Sequence, residues 1–282
     1  MSAILDVLRA QGICTKADVS SISGGCINDA FKLSTDSGDI FVKTHNARNA
    51  VVMFEGEKES LQAISEAVPN FAPKPLCVGI LPKGGAFLAT TFLQLSKSST
   101  PDMQVSFAKK LAKLHSTESP NGMFGFPVMT MCGSTEQDNE WEKDWETFFR
   151  ERRLRPMLSK CLQDNPGDVE LRKLGEVVID KVIHHLLKDI EVKPVLIHGD
   201  LWSGNWGVDI NDGPVVFDPS SCYGHNEMEF SILTMFGSPG HAFFKEYYSH
   251  HPRQEPGYEH RQGGYRGSSI SIMRRLCRLV GK

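Results

Sequence analysis

The sequence predicts an α+β chain of two lobes, a small β-rich N-terminal lobe with one helix over residues 1–94 and a larger helical lobe over 95–282. Two observations predict this. Alternating and β-branched runs dominate up to residue 93, interrupted by one helical period, and beyond a loop-like stretch from Ser96 to Pro101 the apolar residues recur at helical spacing.

In order, Ile4, Leu5 and Leu8 mark a short amphipathic helix. Residues 19 to 43 read as two or three strands, with Asp36-Ser37-Gly38-Asp39 as the hairpin turn before Ile40-Phe41-Val42-Lys43. Residues 49 to 67 read as a helix through Val52, Met53, Leu61 and Ile64, ended by Pro69. Strands follow at 76–81 and 86–93 around Pro82-Lys83-Gly84-Gly85. In the second lobe Val105, Ala108, Leu111 and Ala112 define one helix, and Val178, Val182 and Leu186 another. A third helical stretch carries Trp141, Trp145, Phe148 and Phe149, read as core.

Composition excludes several classes. A formal net charge of −3 argues against nucleic-acid binding, which needs Lys and Arg in excess on one face. Asp6 and Arg9 interrupt the apolar start, so neither a signal peptide nor a membrane span is expected, and the cytoplasm is the expected location. Cys14, Cys26, Cys77, Cys132, Cys161, Cys222 and Cys277 form no CxxC pair, so neither a zinc site nor a disulfide framework is suggested. The adjacent pairs His184-His185 and His250-His251 cannot face one metal site from a helix and read as surface histidines.

The chemistry is concentrated in Val195-Leu196-Ile197-His198-Gly199-Asp200-Leu201-Trp202-Ser203-Gly204-Asn205, followed by Val215-Val216-Phe217-Asp218-Pro219. This is the H-x-D-x-x-x-x-N spacing of a kinase catalytic loop. Phosphoryl transfer needs an in-line hydroxyl, a carboxylate to orient it and divalent metal to neutralise the phosphates. Asp200 is the expected catalytic base, with Asn205 and Asp218 as Mg²⁺ ligands, Asp218 held at a strand end. Lys43 ends an alternating strand, as the ATP-binding lysine of a kinase does, and Glu57 on the next helix is its expected ion-pair partner. Glu55 and Glu59 compete for that role, since they share a helix face while Glu57 points elsewhere. Gly24, Gly25, Cys26 and Asn28, between the first two strands, stand where backbone amides can cover phosphates. Cys26 would there be exposed near positive charge, conditions that lower a thiol's pKa, so reversible oxidation and a Cys26-linked dimer are weighed against a monomer.

Together these motifs resemble the fructosamine-3-kinase / ketosamine-3-kinase family, within the wider aminoglycoside- and choline-kinase-like group. Gly24 to Ile27, Phe41 to Lys43, Met53 to Glu57, Phe124 to Phe126, Trp145 to Pro156, His198 to Asn205, Phe217 to Pro219 and Tyr223 to Glu229 carry the resemblance. It implies a protein-kinase-like fold, ATP bound between the lobes, and the 3-hydroxyl of small ketosamines or glycated proteins as acceptor. The phosphorylated product releases its sugar, so the implied role is deglycation. Trp202 and His198 fall on the substrate side of the family pattern, and Thr91, Phe92 and Leu93 form the adenine-facing hinge, with Thr91 where the family has an acidic residue. Readings kept beside this one are a related small-molecule kinase and a non-catalytic binding protein on the same fold.

The sequence departs from the family near its end. Pro256-Gly257-Tyr258-Glu259-His260-Arg261 runs directly into Gln262-Gly263-Gly264-Tyr265-Arg266-Gly267, where relatives carry a further Tyr-, Leu-, His- and Asn-rich helical stretch. About five helical turns are expected to be missing at this junction. The chain then reads as a shortened form with impaired folding or activity, because each lost buried side chain removes about 1.5–3 kcal/mol.

Overall fold

The computed structural model describes residues 1–22, 29–96, 100–211 and 213–266. The glycine-containing segment with Gly24, Gly25, Cys26 and Asn28 lies outside the described residues, so the calls made on it cannot be placed.

The first 91 residues give helix α1 (Ser2–Ala10), strands β1 (Ala17–Ile22), β2 (Asp29–Thr35) and β3 (Gly38–His45), helix α2 (Ala50–Ala67), and strands β4 (Pro75–Ile80) and β5 (Ala86–Thr91). The strands form one antiparallel sheet in the order β1-β2-β3-β5-β4. Strand β5 shows why the sheet is covered on both faces. Successive side chains alternate sides, and Ala86 and Leu88 join the cluster of α2 (Phe54, Leu61, Ile64), whereas Phe87 and Ala89 join that of α1 (Ile4, Leu8) with Leu33, Ile40 and Val42.

Beyond β5 the chain makes strand β6 (Leu95–Ser96) and helix α3 (Pro101–Leu114), whose N-cap Thr100 accepts from the Met103 amide at 3.3 Å. A short hairpin, β7 (Thr130–Cys132) and β8 (Thr135–Gln137), precedes helix α4 (Trp145–Phe149). Asp144 caps α4 by accepting from Thr147 N at 2.7 Å. The cap starts the helix at Trp145, so Trp141, expected inside it, instead lies in an extended segment and stacks on Tyr223. Trp145, Phe148 and Phe149 are buried as expected. A π-helical turn over Arg150–Leu154 joins α4 to α5 (Arg155–Asp164), and another over Val178–Val182 joins α6 (Val169–Val177) to α7 (Ile183–Leu187). Strands β9 (Val195–Ile197), β10 (Trp206–Asp209), β11 (Gly213–Val216) and β12 (Cys222–Gly224) follow. They pair as β11-β10-β6 and β12-β9, small sheets that hold the motif loops. Helices α8 (Asn226–Leu233), α9 (His241–His250) and α10 (Tyr258–Arg266) complete the described chain.

The Arg261-Gln262 junction lies inside α10. Arg261 is buried and ion-paired with Glu227, its Nε donating to Oε2 at 2.8 Å and Nη2 to Oε1 at 3.1 Å. Gln262 Nε2 donates to the Glu227 carbonyl at 2.8 Å. Tyr265 accepts from Trp145 Nε1 at 3.0 Å, and its hydroxyl meets His225 Nδ1 at 2.6 Å. Burial first, and then the Arg261 charge, push His225 down to about 3, so the ring beside that hydroxyl is neutral. One histidine reading is corrected: His251 is half-buried, its Nε2 bonded to Ala112 O at 2.9 Å, because α9 ends against α3. Among the described residues no helix is long and apolar enough to cross a membrane.

Candidate active site

The loop His198–Asn205 leaves β9 and enters β10, so both of its ends are fixed by strands. Gly199 makes the turn possible at φ +83°, and a Cβ there would sit 2.0 Å from Ser220 O. The side chain that fixes the loop ends the Tyr223–Glu229 stretch and had been given no role from the sequence. Glu229 on α8 accepts the His198 amide at 2.6 Å and the Gly199 amide at 3.0 Å, and is wholly buried beside His115. Burial alone would raise the Glu229 carboxyl; His115, His198 and the loop amide outweigh it and hold the group below the ordinary range. The available sequence signal was two acids, Glu227 and Glu229, inside an otherwise apolar helical segment.

His198 is corrected from its substrate-side placement. The ring is wholly buried, with Nε2 against Phe217 O at 3.0 Å and Nδ1 accepting from Asp200 N at 3.3 Å. These partners set its tautomer and leave it no face toward a cleft; burial also lowers its pKa and keeps it neutral. It is an internal brace between the His198–Asn205 loop and the segment that follows β11.

Asp200 and Asn205 lie together. Asn205 Nδ2 donates to Asp200 O at 2.8 Å and to Asp200 Oδ2 at 3.2 Å, which leaves the amide oxygen Oδ1 for other work. Burial pushes Asp200 up to about 7, the Cys132 thiol of the β7–β8 hairpin pulls it back, and the Glu229 and Asp218 charges raise it again. A carboxylate poised near neutrality is suited to take part in proton chemistry at the acceptor.

Asp218 stands two residues past β11 at φ 56°, a left-handed conformation uncommon for a residue with a Cβ. Its carboxylate Oδ1 accepts from Lys43 Nζ at 2.7 Å, and Lys43 also meets Glu57 Oε1 at 2.6 Å. Strand β3, helix α2 and the segment after β11 thus converge on one ammonium. Burial opposes the Lys43 charge, but Glu57 and Asp218 outweigh it and raise its pKa. The choice among the helix acids is also settled by position: Glu57 is buried on the face toward β3, while Glu55 turns outward to pair with Lys58.

Asn205 Oδ1 and the half-exposed Asp218 carboxylate are hard oxygen donors of the kind magnesium takes. Among the described residues no three His, Cys, Asp or Glu side chains form a self-sufficient metal cage. Such a donor set fits an ion that completes its shell with phosphate oxygens and water. In the hinge segment the Thr91 amide donates to Lys74 O at 2.9 Å and the Phe92 amide to Asp39 O at 3.1 Å. Those two donors are already taken, so of the three predicted hinge amides Leu93 is the one left to meet a base. Trp202 is 38% exposed on the loop between Asp200 and Asn205, edge-on to Phe236 at 6.0 Å.

A profile described as "Fructosamine kinase" matches residues 3–267. The chain belongs to the fructosamine kinase family. Ketosamine-3-kinase of Mus musculus is 36% identical over 310 aligned positions, covering 96% of this chain and 99% of the mouse protein. The chloroplastic protein-ribulosamine 3-kinase of Arabidopsis thaliana is also 36% identical, over 98% of this chain and 88% of that protein. A candidate fructosamine-3-kinase structure from Haemophilus somnus 129PT superposes with a TM-score of 0.83 at 24% identity, covering 98% of this chain and 96% of that one. An apo aminoglycoside phosphotransferase gives a TM-score of 0.60 at 14% identity, over 97% and 96% of the two chains. These two likenesses show the fold, which is protein-kinase-like, and the fructosamine kinase family implies the use of ATP.

Proposed function

We propose that this fructosamine kinase family member transfers the γ-phosphoryl group of ATP to the 3-hydroxyl of ketosamines, fructosamine or ribulosamine adducts of lysine, and so takes part in protein deglycation. The observation that carries the reading is Trp202: a partly exposed indole on the catalytic loop gives a sugar-modified amine a flat apolar face beside Asp200. The names of the mouse and Arabidopsis relatives support the same acceptor.

In this reading Asp200 accepts the hydrogen bond of the acceptor hydroxyl and takes its proton as the new P–O bond forms. Lys43, braced by Glu57, directs its ammonium toward the α- and β-phosphates. Asn205 and Asp218 would hold magnesium, which would supply charge neutralisation on the phosphates. Asp200→Asn is the test. Turnover on fructosyl-lysine should fall by about 10²–10⁴-fold while the ATP dissociation constant changes little. Full turnover in this variant would remove Asp200 from the proposed role.

A second proposal concerns the scaffold. The mouse alignment spans 310 positions against 282 residues in this chain, so it carries gaps on this side. A cavity of about 510 Å³ lies beside Glu227 and His225, and His225 Nε2 has no hydrogen-bond partner among the described residues. These observations support a helical lobe that lacks part of its packing at Arg261-Gln262. The expected result is a melting temperature well below that of the mouse relative; an equal melting temperature with equal turnover would contradict it. The Cys26 dimer is tested separately, by electrophoresis with and without reductant after peroxide: identical migration and undiminished activity would end it.

A further inference from the structure

Of the large apolar side chains exposed among the described residues, the aromatic ones are Trp202 and Phe236, and these two rings lie against each other. Trp202 stands on the loop between Asp200 and Asn205, whereas Phe236, 62% exposed, belongs to residues 234–240, which join α8 to α9. A single exposed ring is ordinary on a protein surface, but two brought together from separate elements beside the reacting groups are not. Both are held in place. The Trp202 amide donates to Asp200 O at 3.0 Å, and the Trp202 carbonyl accepts the Asn205 amide at 2.9 Å. The six-membered ring of the indole lies over Gly204, where a Cβ would sit 2.2 Å from Cη2, so a residue without a side chain is needed beneath it. Ser203 Oγ donates to the Phe236 carbonyl at 2.8 Å and ties the second segment to the loop, while Thr234 Oγ1 holds its start by donating to Phe230 O at 2.8 Å. The ring centroids are 6.0 Å apart with their planes at 78°, which makes the pair a corner rather than a stack.

We propose that Phe236 is a specificity-determining residue of the acceptor site, forming with Trp202 an open aromatic corner that takes the ammonium group of a ketosamine. The nitrogen that links sugar to lysine in such an adduct is a secondary alkylamine, protonated and positively charged at neutral pH. An aromatic face attracts a cation that lies within about 6 Å of the ring centre, and two rings near a right angle can both turn a face to the same charge. The chemistry of the acceptor also fits the place. Its nitrogen is borne by the first sugar carbon and its reacting hydroxyl by the third, so a molecule that presents the hydroxyl to Asp200 must set its charge close by. Trp202 is two residues along the same loop. Both rings are open to solvent, as an acceptor carried on a protein surface requires. The corner would therefore favour a sugar joined through a charged amine over the same sugar joined through a neutral atom.

The inference rests on the reading of a ketosamine as the acceptor. Its test uses the full chain with Phe236→Ala, Phe236→Leu and Phe236→Tyr, and two acceptors: fructosyl-lysine, and its neutral counterpart in which an ether oxygen replaces the linking nitrogen. The readouts are kcat and KM for each acceptor and KM for ATP. Phe236→Ala should raise KM for fructosyl-lysine about threefold to thirtyfold, the span of a cation held by one ring face, with kcat and KM for ATP within about twofold of wild type. Leucine restores apolar bulk without a ring face and should lose nearly as much, whereas tyrosine, which keeps the face, should stay within about twofold of wild type. The ether should be the poorer acceptor for wild type and should lose far less than the amine in the alanine variant. An unchanged KM for fructosyl-lysine in Phe236→Ala, a leucine variant as good as wild type, or equal losses for amine and ether would each overturn the proposal. A wild-type chain that binds magnesium–ATP yet phosphorylates no ketosamine would instead refute the substrate reading and the corner with it, whereas an active chain indifferent to Phe236 would refute the corner alone.

Discussion

Helix α8 carries two buried acids two residues apart, and they serve different neighbours. Glu229 faces the catalytic loop and accepts two backbone amides, whereas Glu227 faces α10 and pairs with Arg261. Residues at i and i+2 point to different sides of a helix, so one short element divides its charges between chemistry and scaffold. The surroundings of the two differ. Glu229 meets the His198 and Gly199 amides and His115 at the end of α3, while Glu227 depends on Arg261, Gln262 and Gln254, which flank or form the junction where the family pattern is interrupted. The loop side is anchored away from that junction, and the scaffold side rests on it.

That contrast can be broken deliberately. Glu229→Ala should be the most severe change, because it leaves two amides without their acceptor in a buried site and removes the carboxylate beside His115; a loss of about 3–5 kcal/mol together with most of the turnover is expected, measured by urea denaturation and kcat. Arg261→Met should cost about the same stability by leaving Glu227 charged and unpaired, but at low temperature the folded fraction should keep its kcat. Glu227→Leu combined with Arg261→Met should restore most of that stability, since a buried pair replaced as a whole is often nearly neutral.

Two smaller effects sharpen the comparison. With Asp200 raised from 3.8 to about 7, kcat/KM should climb about tenfold per pH unit below about 7 and level off above it. The sign for stability is opposite. A carboxyl raised by folding stabilises when protonated, so stability is lost as the pH rises from about 4 through about 7, and Asp200→Asn should raise the melting temperature at pH 8 and not at pH 4. Gly263, inside α10 with open space where a Cβ would stand, should gain about 0.5–1 kcal/mol on replacement by alanine, with no change in kcat.

What the sequence made legible was local. The strand and helix order of the first lobe could be read because alternation, a polar turn at Asp36-Ser37 and a long helical period are all properties of short windows. That Asp200 and Asn205 lie together was legible because one short loop fixes their spacing. The groups that were missed act across long separations: Glu229 lies 31 residues from the amide it holds, and no periodicity reports such a contact. The preference for Glu57 over Glu55 and Glu59 needed the helix's rotation against β3, which only packing fixes. Trp141 was misread because apolar spacing ran through Asp144, whose capping bond decides where the helix begins. His198 belongs to the motif, but its spacing could not tell a cleft-facing ring from a buried brace.

The most direct measurement is phosphorus NMR of the product formed from ATP, magnesium and fructosyl-lysine. The account predicts a phosphomonoester on the sugar's 3-hydroxyl that decays with release of free lysine, at a rate abolished by Asp200→Asn. No phosphorylated sugar amine, alongside ready phosphorylation of an aminoglycoside or choline, would contradict it.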